Sequence, residues 1–173
     1  MIEKDLFCEL IQLHEKAMYR LAVSIVKSNA DAEEVISEAI YRAYRNIDDL
    51  RNEGSFKPWI LSIVHNTAVE LIRKNTRIIS TEKVPDAAYD NTESEITSKL
   101  SVRKAIESLN QPYRTVVILF YYEDLPVAKI ATIAGKNAVA VKKQLSRARE
   151  MLREILKEDF KGLMFLINTS KTE

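Results

Sequence analysis

Between residues 6 and 26 the apolar side chains Phe7, Leu10, Ile11, Met18, Leu21, Ala22 and Ile25 recur at three- and four-residue spacing, which predicts a helix with one buried face. Lys27-Ser28-Asn29-Ala30 reads as a turn. Asp31 stands where an N-cap belongs, with Glu33 and Glu34 in the first turn behind it. A second helix follows over 32–46, with the stripe Ala32, Val35, Ile36, Ala39, Ile40 and Ala43. Residues 48–55, DDLRNEGS, form a polar loop, and Ser55 is placed to cap a third helix. Pro58 is tolerated there because it falls in the first turn. Ile60, Ile63, Val64, Thr67 and Leu71 mark the buried side of that helix, which ends in the basic run RKNTR at 73–77.

The pattern then breaks. Residues 81–98, TEKVPDAAYDNTESEITS, hold five acids and one lysine, a net −4, with almost no bulky apolar side chains. Such a composition predicts a flexible linker. Helical periodicity resumes over 99–109, 112–122, 127–134 and 138–156. The expected fold is therefore all-α: two small helical domains, 1–77 and 100–160, joined by a flexible acidic linker over 78–99 and followed by a tail at 161–173. With only three glycines and four prolines in 173 residues, the composition suits helices on short connections and not a turn-rich sheet fold.

The single cysteine, Cys8, cannot close an internal disulfide. The start, MIEKDLFCELIQLHEK, has no apolar signal core, and no apolar run approaches the roughly 20 residues of a membrane span, so a cytoplasmic location is expected. Two histidines and one cysteine leave no metal cluster. The sparse glycines form neither a P-loop nor a dinucleotide fingerprint, and no nucleophile context is present. No enzyme, no cofactor and no small-molecule substrate are expected.

Charge changes the picture locally. The chain's net charge is +1, yet GKNAVAVKKQLSRAREMLR at 135–153 carries six Lys or Arg and one acid, a local +5. A short helix, a glycine suited to the left-handed conformation, an Asn cap at 137 and a longer basic helix are the layout of a helix-turn-helix. At 100° per residue Val141, Leu145, Ala148 and Leu152 fall on one side, and Val139, Lys142, Lys143, Ser146 and Arg147 on the other. Lys and Arg donate to guanine in the major groove and Val139 suits a thymine methyl. Arg149, nearer the flank, suits a phosphate. The plain alternative is a solvated charged face. In the first half, Tyr41, Tyr44, Phe56 and Trp59 flank the polar loop, and Arg73, Lys74 and Arg77 follow. Aromatics among cations suit single-stranded nucleic acid; the alternative for Trp59 is a core position. The 32–45 helix keeps Glu33, Glu34, Ser37, Glu38, Tyr41 and Arg45 off its stripe, a face suited to a basic partner or simply to water.

Three stretches, DAEEVISEAIYRAYRNID (31–48), SFKPWILSIVHNTAVELIRK (55–74) and the helix-turn-helix segment, together resemble the extracytoplasmic-function group of bacterial RNA polymerase sigma factors. The resemblance implies a subunit that directs core polymerase to promoters. Glu34, Ser37, Glu38, Tyr41 and Arg45 would dock on the clamp helices of the largest polymerase subunit. Leu50, Arg51, Asn52, Ser55, Phe56, Trp59 and Asn66, with Arg73 and Lys74, would serve the minus-ten element, the loop capturing a flipped base. Val139, Lys142, Lys143, Ser146, Arg147 and Arg149 would serve the minus-thirty-five element. An anti-sigma factor, often membrane-anchored in the family, is the implied regulator. Ser37, Ser62, His65, Asn137, Val139, Ala140 and Gln144 depart from the family's usual residues, which bears on promoter preference. Two other functions fit parts of the pattern: a duplex-DNA regulator that uses only its helix-turn-helix, and a helical adaptor that binds proteins alone.

Overall fold

The computed structural model describes residues 4–50, 52–79 and 97–157, the side chains of 78–79 and 97–101 excepted. Every regular element among them is helical. Helices α1 (Lys4–Val26), α2 (Asn29–Arg45) and α3 (Phe56–Ile79) form a first group, with two short 3-10 turns, Ile47–Asp49 and Glu53–Ser55, between α2 and α3. The second group is α4 (Thr97–Ser108), α5 (Tyr113–Val117) running into a π turn (Ile118–Tyr122), α6 (Val127–Ala134) and α7 (Ala138–Leu156).

In the first group Met18, Leu21 and Ala22 of α1 meet Ala32, Val35, Ala39 and Ala43 of α2 and Phe56, Ile60, Leu61, Val64 and Ala68 of α3. Three alanines on the α2 stripe leave room for close helix approach. Two caps differ from the sequence reading. Ser28, not Asp31, caps α2, its hydroxyl accepting from the Asp31 amide at 3.2 Å. Asn52, not Ser55, starts the segment leading into α3: its carboxamide oxygen accepts from the Ser55 amide at 2.9 Å and the Ser55 hydroxyl at 3.0 Å. In both cases a residue three positions earlier reaches the free N–H groups with better geometry.

Gly135 ends α6 at φ +62°, and Lys136 N–H returns to the Ala131 carbonyl at 2.9 Å, the pattern of a Schellman cap. A Cβ there would meet nothing within 4 Å, so the only obstacle to a side chain is the backbone angle. Gly135→Ala is accordingly expected to cost about 1–2 kcal/mol in urea unfolding, and Gly135→Asn, which tolerates this conformation, clearly less.

The second group has its own apolar cluster, Ala105, Ile106, Leu109, Val117, Ile118, Ala148, Leu152 and Leu156. Its other side does not face water. Val116, Leu119, Phe120, Leu125, Ile130, Ala131, Ile133, Val141 and Leu145 are continuous with the core of the first group. Polar ties cross the same boundary. The buried Arg114 donates to the Ser24 carbonyl near the end of α1 at 2.7 Å, and Gln111 donates to the same oxygen at 3.0 Å. A cation at a helix C-terminus is favourably placed. The two helical groups are thus docked on each other. The sequence indicated two groups and gave no sign of this docking, because the contacts pair residues about 90 to 100 positions apart.

Candidate nucleic-acid and polymerase interface

The helix-turn-helix is built as its pattern indicated. Ile130, Ala131 and Ile133 bury α6, and the Asn137 carboxamide oxygen accepts from the Ala140 amide at 2.8 Å to cap α7. Val141, Leu145, Ala148 and Leu152 are buried, while Lys142, Lys143, Ser146 and Arg147 are exposed and Val139 is 64% exposed. Val139, Lys143 and Arg147 succeed one another every fourth residue and share one outward strip. Val139, at the start of the basic strip, belongs to neither apolar cluster.

Arg149 departs from its expected place on a phosphate. Its Nε donates to the Tyr121 hydroxyl at 2.7 Å, and its guanidinium lies 5.8 Å from the ring centroids of Phe120 and Tyr121. It is a tie between α7 and the π turn. The signal was out of reach in sequence because its partner stands 28 residues earlier.

On α2 the five expected docking residues form one stripe. Glu34 and Tyr41 lie seven residues apart, as do Glu38 and Arg45, each step returning to nearly the same helix face. Glu34, Ser37, Tyr41 and Arg45 are exposed, Tyr41 by 56%, and the Arg45 guanidinium lies 5.8 Å from the Tyr41 ring. Glu38 is partly committed inside the molecule. It pairs with Arg42 at 2.7 Å, and Arg42 pairs in turn with Glu70 of α3 at 2.7 Å. The hydrogen bonds to Glu38 and then Glu70 raise the Arg42 pKa further above its ordinary value.

The base-capture set is divided. Phe56 is fully buried and Leu50 nearly so, so both belong to the core and neither side chain is on offer to a base. Phe56 is hemmed in by Phe7, His14 and Trp59, with ring centroids 6.1, 5.7 and 5.7 Å away. Asn52 and Ser55 are engaged in the cap, and Arg51 lies outside the described residues. Trp59 is half-buried, while Asn66, Arg73 and Lys74 are exposed. Trp59, Asn66 and Arg73 lie seven residues apart on one side of α3, a track of about 21 Å at 1.5 Å per residue. His65 packs beside it. Burial lowers its pKa, an effect that a hydrogen bond to Asn66 partly offsets.

Sequence reasoning missed a charged cluster next to this track. Glu123, at the end of the π turn, has a side chain only 3% exposed and pairs with Arg20 of α1 and with Lys57 of α3, the latter at 3.1 Å. Lys57 also donates to the Glu123 carbonyl at 2.8 Å. Arg20 stacks on the Tyr122 ring at 5.2 Å. His14, stacked on Phe56, has its pKa lowered by burial and then by the Lys57 charge, against a smaller opposite effect of Glu123. No group of three metal-ligating side chains and no helix long and apolar enough to cross a membrane occurs among the described residues.

Comparison with known proteins matches residues 10–78 to the Sigma-70 region 2 family and residues 99–152 to the Sigma-70 region 4 family. The RNA polymerase sigma factor SigV of Bacillus subtilis is 31% identical over 157 residues, spanning 90% of this chain and 95% of its own. The ECF RNA polymerase sigma factor SigW of the same organism is 26% identical, over 90% and 91% of the two chains. Among solved structures, the sigma factor RpoE of Bartonella quintana, in complex with the anti-sigma factor NepR, shares the fold with a TM-score of 0.78. That match has 24% identity and covers 91% of this chain and all of that one.

Proposed function

This chain belongs to the extracytoplasmic-function group of RNA polymerase sigma factors, in the sigma-70 family, and on that premise we propose how its surfaces divide the work of initiation. The protein directs core polymerase to specific promoters and assists strand opening. It carries no catalysis of its own and works in the cytoplasm. The outward strip of α7 reads duplex DNA at the minus-thirty-five element through Lys142, Lys143, Ser146 and Arg147, with Val139 against a thymine methyl. The α3 track of Trp59, Asn66, Arg73 and Lys74 holds the separated strand at the minus-ten element. Opening duplex costs about 1.4 kcal/mol per stacked step, and binding the unpaired strand offsets it. Domain limits at 1–77 and 100–160 fit this division. The observation that carries the reading is the basic strip of α7, exposed along its whole length on a helix whose opposite face is fully buried.

The acidic stripe of α2 docks on the clamp helices of the largest polymerase subunit. Glu34 is the cleaner probe, because Glu38 is already paired with Arg42. Glu34→Lys is expected to weaken binding to core polymerase at least tenfold, about 1.4 kcal/mol, with an unchanged circular dichroism spectrum. Unimpaired assembly would remove α2 from the interface. An anti-sigma factor is the proposed regulator, as one holds RpoE in the Bartonella complex; its anchoring in a membrane is part of the same proposal.

The deciding test is reconstitution with core polymerase and run-off transcription from a library of genomic promoters. A specific transcript above core alone is expected. Tight, specific binding to duplex by the free protein, with no such transcript, would make the chain an ordinary helix-turn-helix regulator.

A further inference from the structure

The docked arrangement cannot be the one that binds a promoter. The minus-ten and minus-thirty-five elements lie some 25 base pairs apart, roughly 85 Å along the duplex at 3.4 Å per step. A compact chain of 173 residues has a radius of gyration of about 16 Å and so a width of about 40 Å. The two helical groups must part before α3 and α7 can reach both elements. What their parting uncovers can be read from the boundary.

Two of the cations along it, Arg20 and Lys57, converge from different helices on a single carboxylate, that of Glu123. Glu123 comes from the other helical group and would leave with it. Lys57 is the residue after Phe56 and two before Trp59, so the vacated position adjoins the start of the single-strand track. Arg20 brings a guanidinium, which suits a two-oxygen anion, and Lys57 a compact ammonium. A carboxylate already seated between them shows that the pair is spaced for an anion of that size.

We propose that Arg20 and Lys57 form a phosphate-binding site for the separated promoter strand, and that Glu123 fills this site in the closed protein as an internal stand-in for the phosphate. The same residue therefore latches the two halves and shields the DNA surface, and strand and latch compete for one pair of cations. This rests on the reading of α3 as the single-strand surface. It adds to that surface Arg20, which lies outside the three resembling stretches, and Lys57, which lies within 55–74 beyond the polar loop.

The test uses the full chain and a fluorescein-labelled oligo(dT) of about 20 nucleotides, long enough to follow a basic groove. Binding is read by fluorescence anisotropy over a salt series and compactness by small-angle X-ray scattering. Apparent affinity scales with the fraction of open molecules, so Glu123→Ala is expected to bind about tenfold tighter than the unaltered chain. Arg20→Gln with Lys57→Gln breaks the latch from the other side. It should expand the protein to the same degree and yet bind no tighter. Adding Glu123→Ala to that pair should restore nothing, and the salt slope should stay shallower by about 0.7 for each phosphate no longer neutralised. A triple variant that keeps the full gain, or Glu123→Ala that folds and gains nothing, would overturn the proposal. Should Glu123→Ala fail to fold, the double variant decides alone: remaining compact, or binding tighter, also overturns it. Run-off transcription with core polymerase is measured in parallel on the unaltered chain. Loss of that transcript strikes the sigma-factor reading, whereas a transcript with no role for the cation pair strikes only this one.

Discussion

Phe56→Ala is expected to destabilise the protein by about 3–5 kcal/mol in the absence of any nucleic acid, the range for deleting a fully buried phenyl ring. The ring has no exposed surface and packs edge-on to Phe7, parallel to His14 and at a tilt to Trp59. Its loss opens a cavity where α1 and α3 meet. Phe56→Leu keeps most of the volume and should cost less than about 1.5 kcal/mol. Urea unfolding followed by circular dichroism measures both. A Phe56→Ala protein that unfolds at the normal midpoint but fails to open promoters would return the ring to the base-capture surface.

Replacing Lys143 and Arg147 together by alanine is expected to lower binding at the minus-thirty-five element by about 2–6 kcal/mol, since each good contact to a base edge is worth about 1–3 kcal/mol. At the lower limit that is roughly a thirtyfold loss. Both side chains are exposed, one helical turn apart, on the face opposite Val141 and Leu145, so the thermal midpoint should not move. Arg147→Ala alone separates two kinds of contact. Relaxed preference at one base position marks a base contact. Uniform weakening on every promoter, with a salt slope reduced by about one, marks a phosphate contact. An unchanged affinity in the double variant would take α7 out of promoter reading.

The helices were legible because their signals are local. Apolar spacing placed α1, α2 and α3 to within a few residues and gave the bounds of α6 and α7 as observed. Gly135 and Asn137 do at the turn what their chemistry indicates. The caps at Ser28 and Asn52 were misplaced by three residues because several polar side chains compete at each start, and geometry selects among them. The π turn at Ile118–Tyr122 has no periodic signature distinct from the helix it continues. On the functional surfaces, exposure on a regular helix was readable, and burial at a helix end was not. Leu50 and Phe56 flank a polar loop, yet both join the buried core, Phe56 against Phe7 and His14 of α1. Arg20, Lys57 and Glu123 were invisible for the same reason. Each is an ordinary charged residue until tertiary folding brings α1, α3 and the π turn together.

Helix α7 has a further consequence. Its buried row of Val141, Leu145, Ala148 and Leu152 never alternates roles with its outward row of Val139, Lys143 and Arg147. On the proposed reading of α7, mutations in the outward row would change promoter preference while the buried row keeps the molecule folded. On that same proposal, divergence in what is transcribed costs the scaffold little, and a redesigned regulon would begin with the outward side chains of one helix.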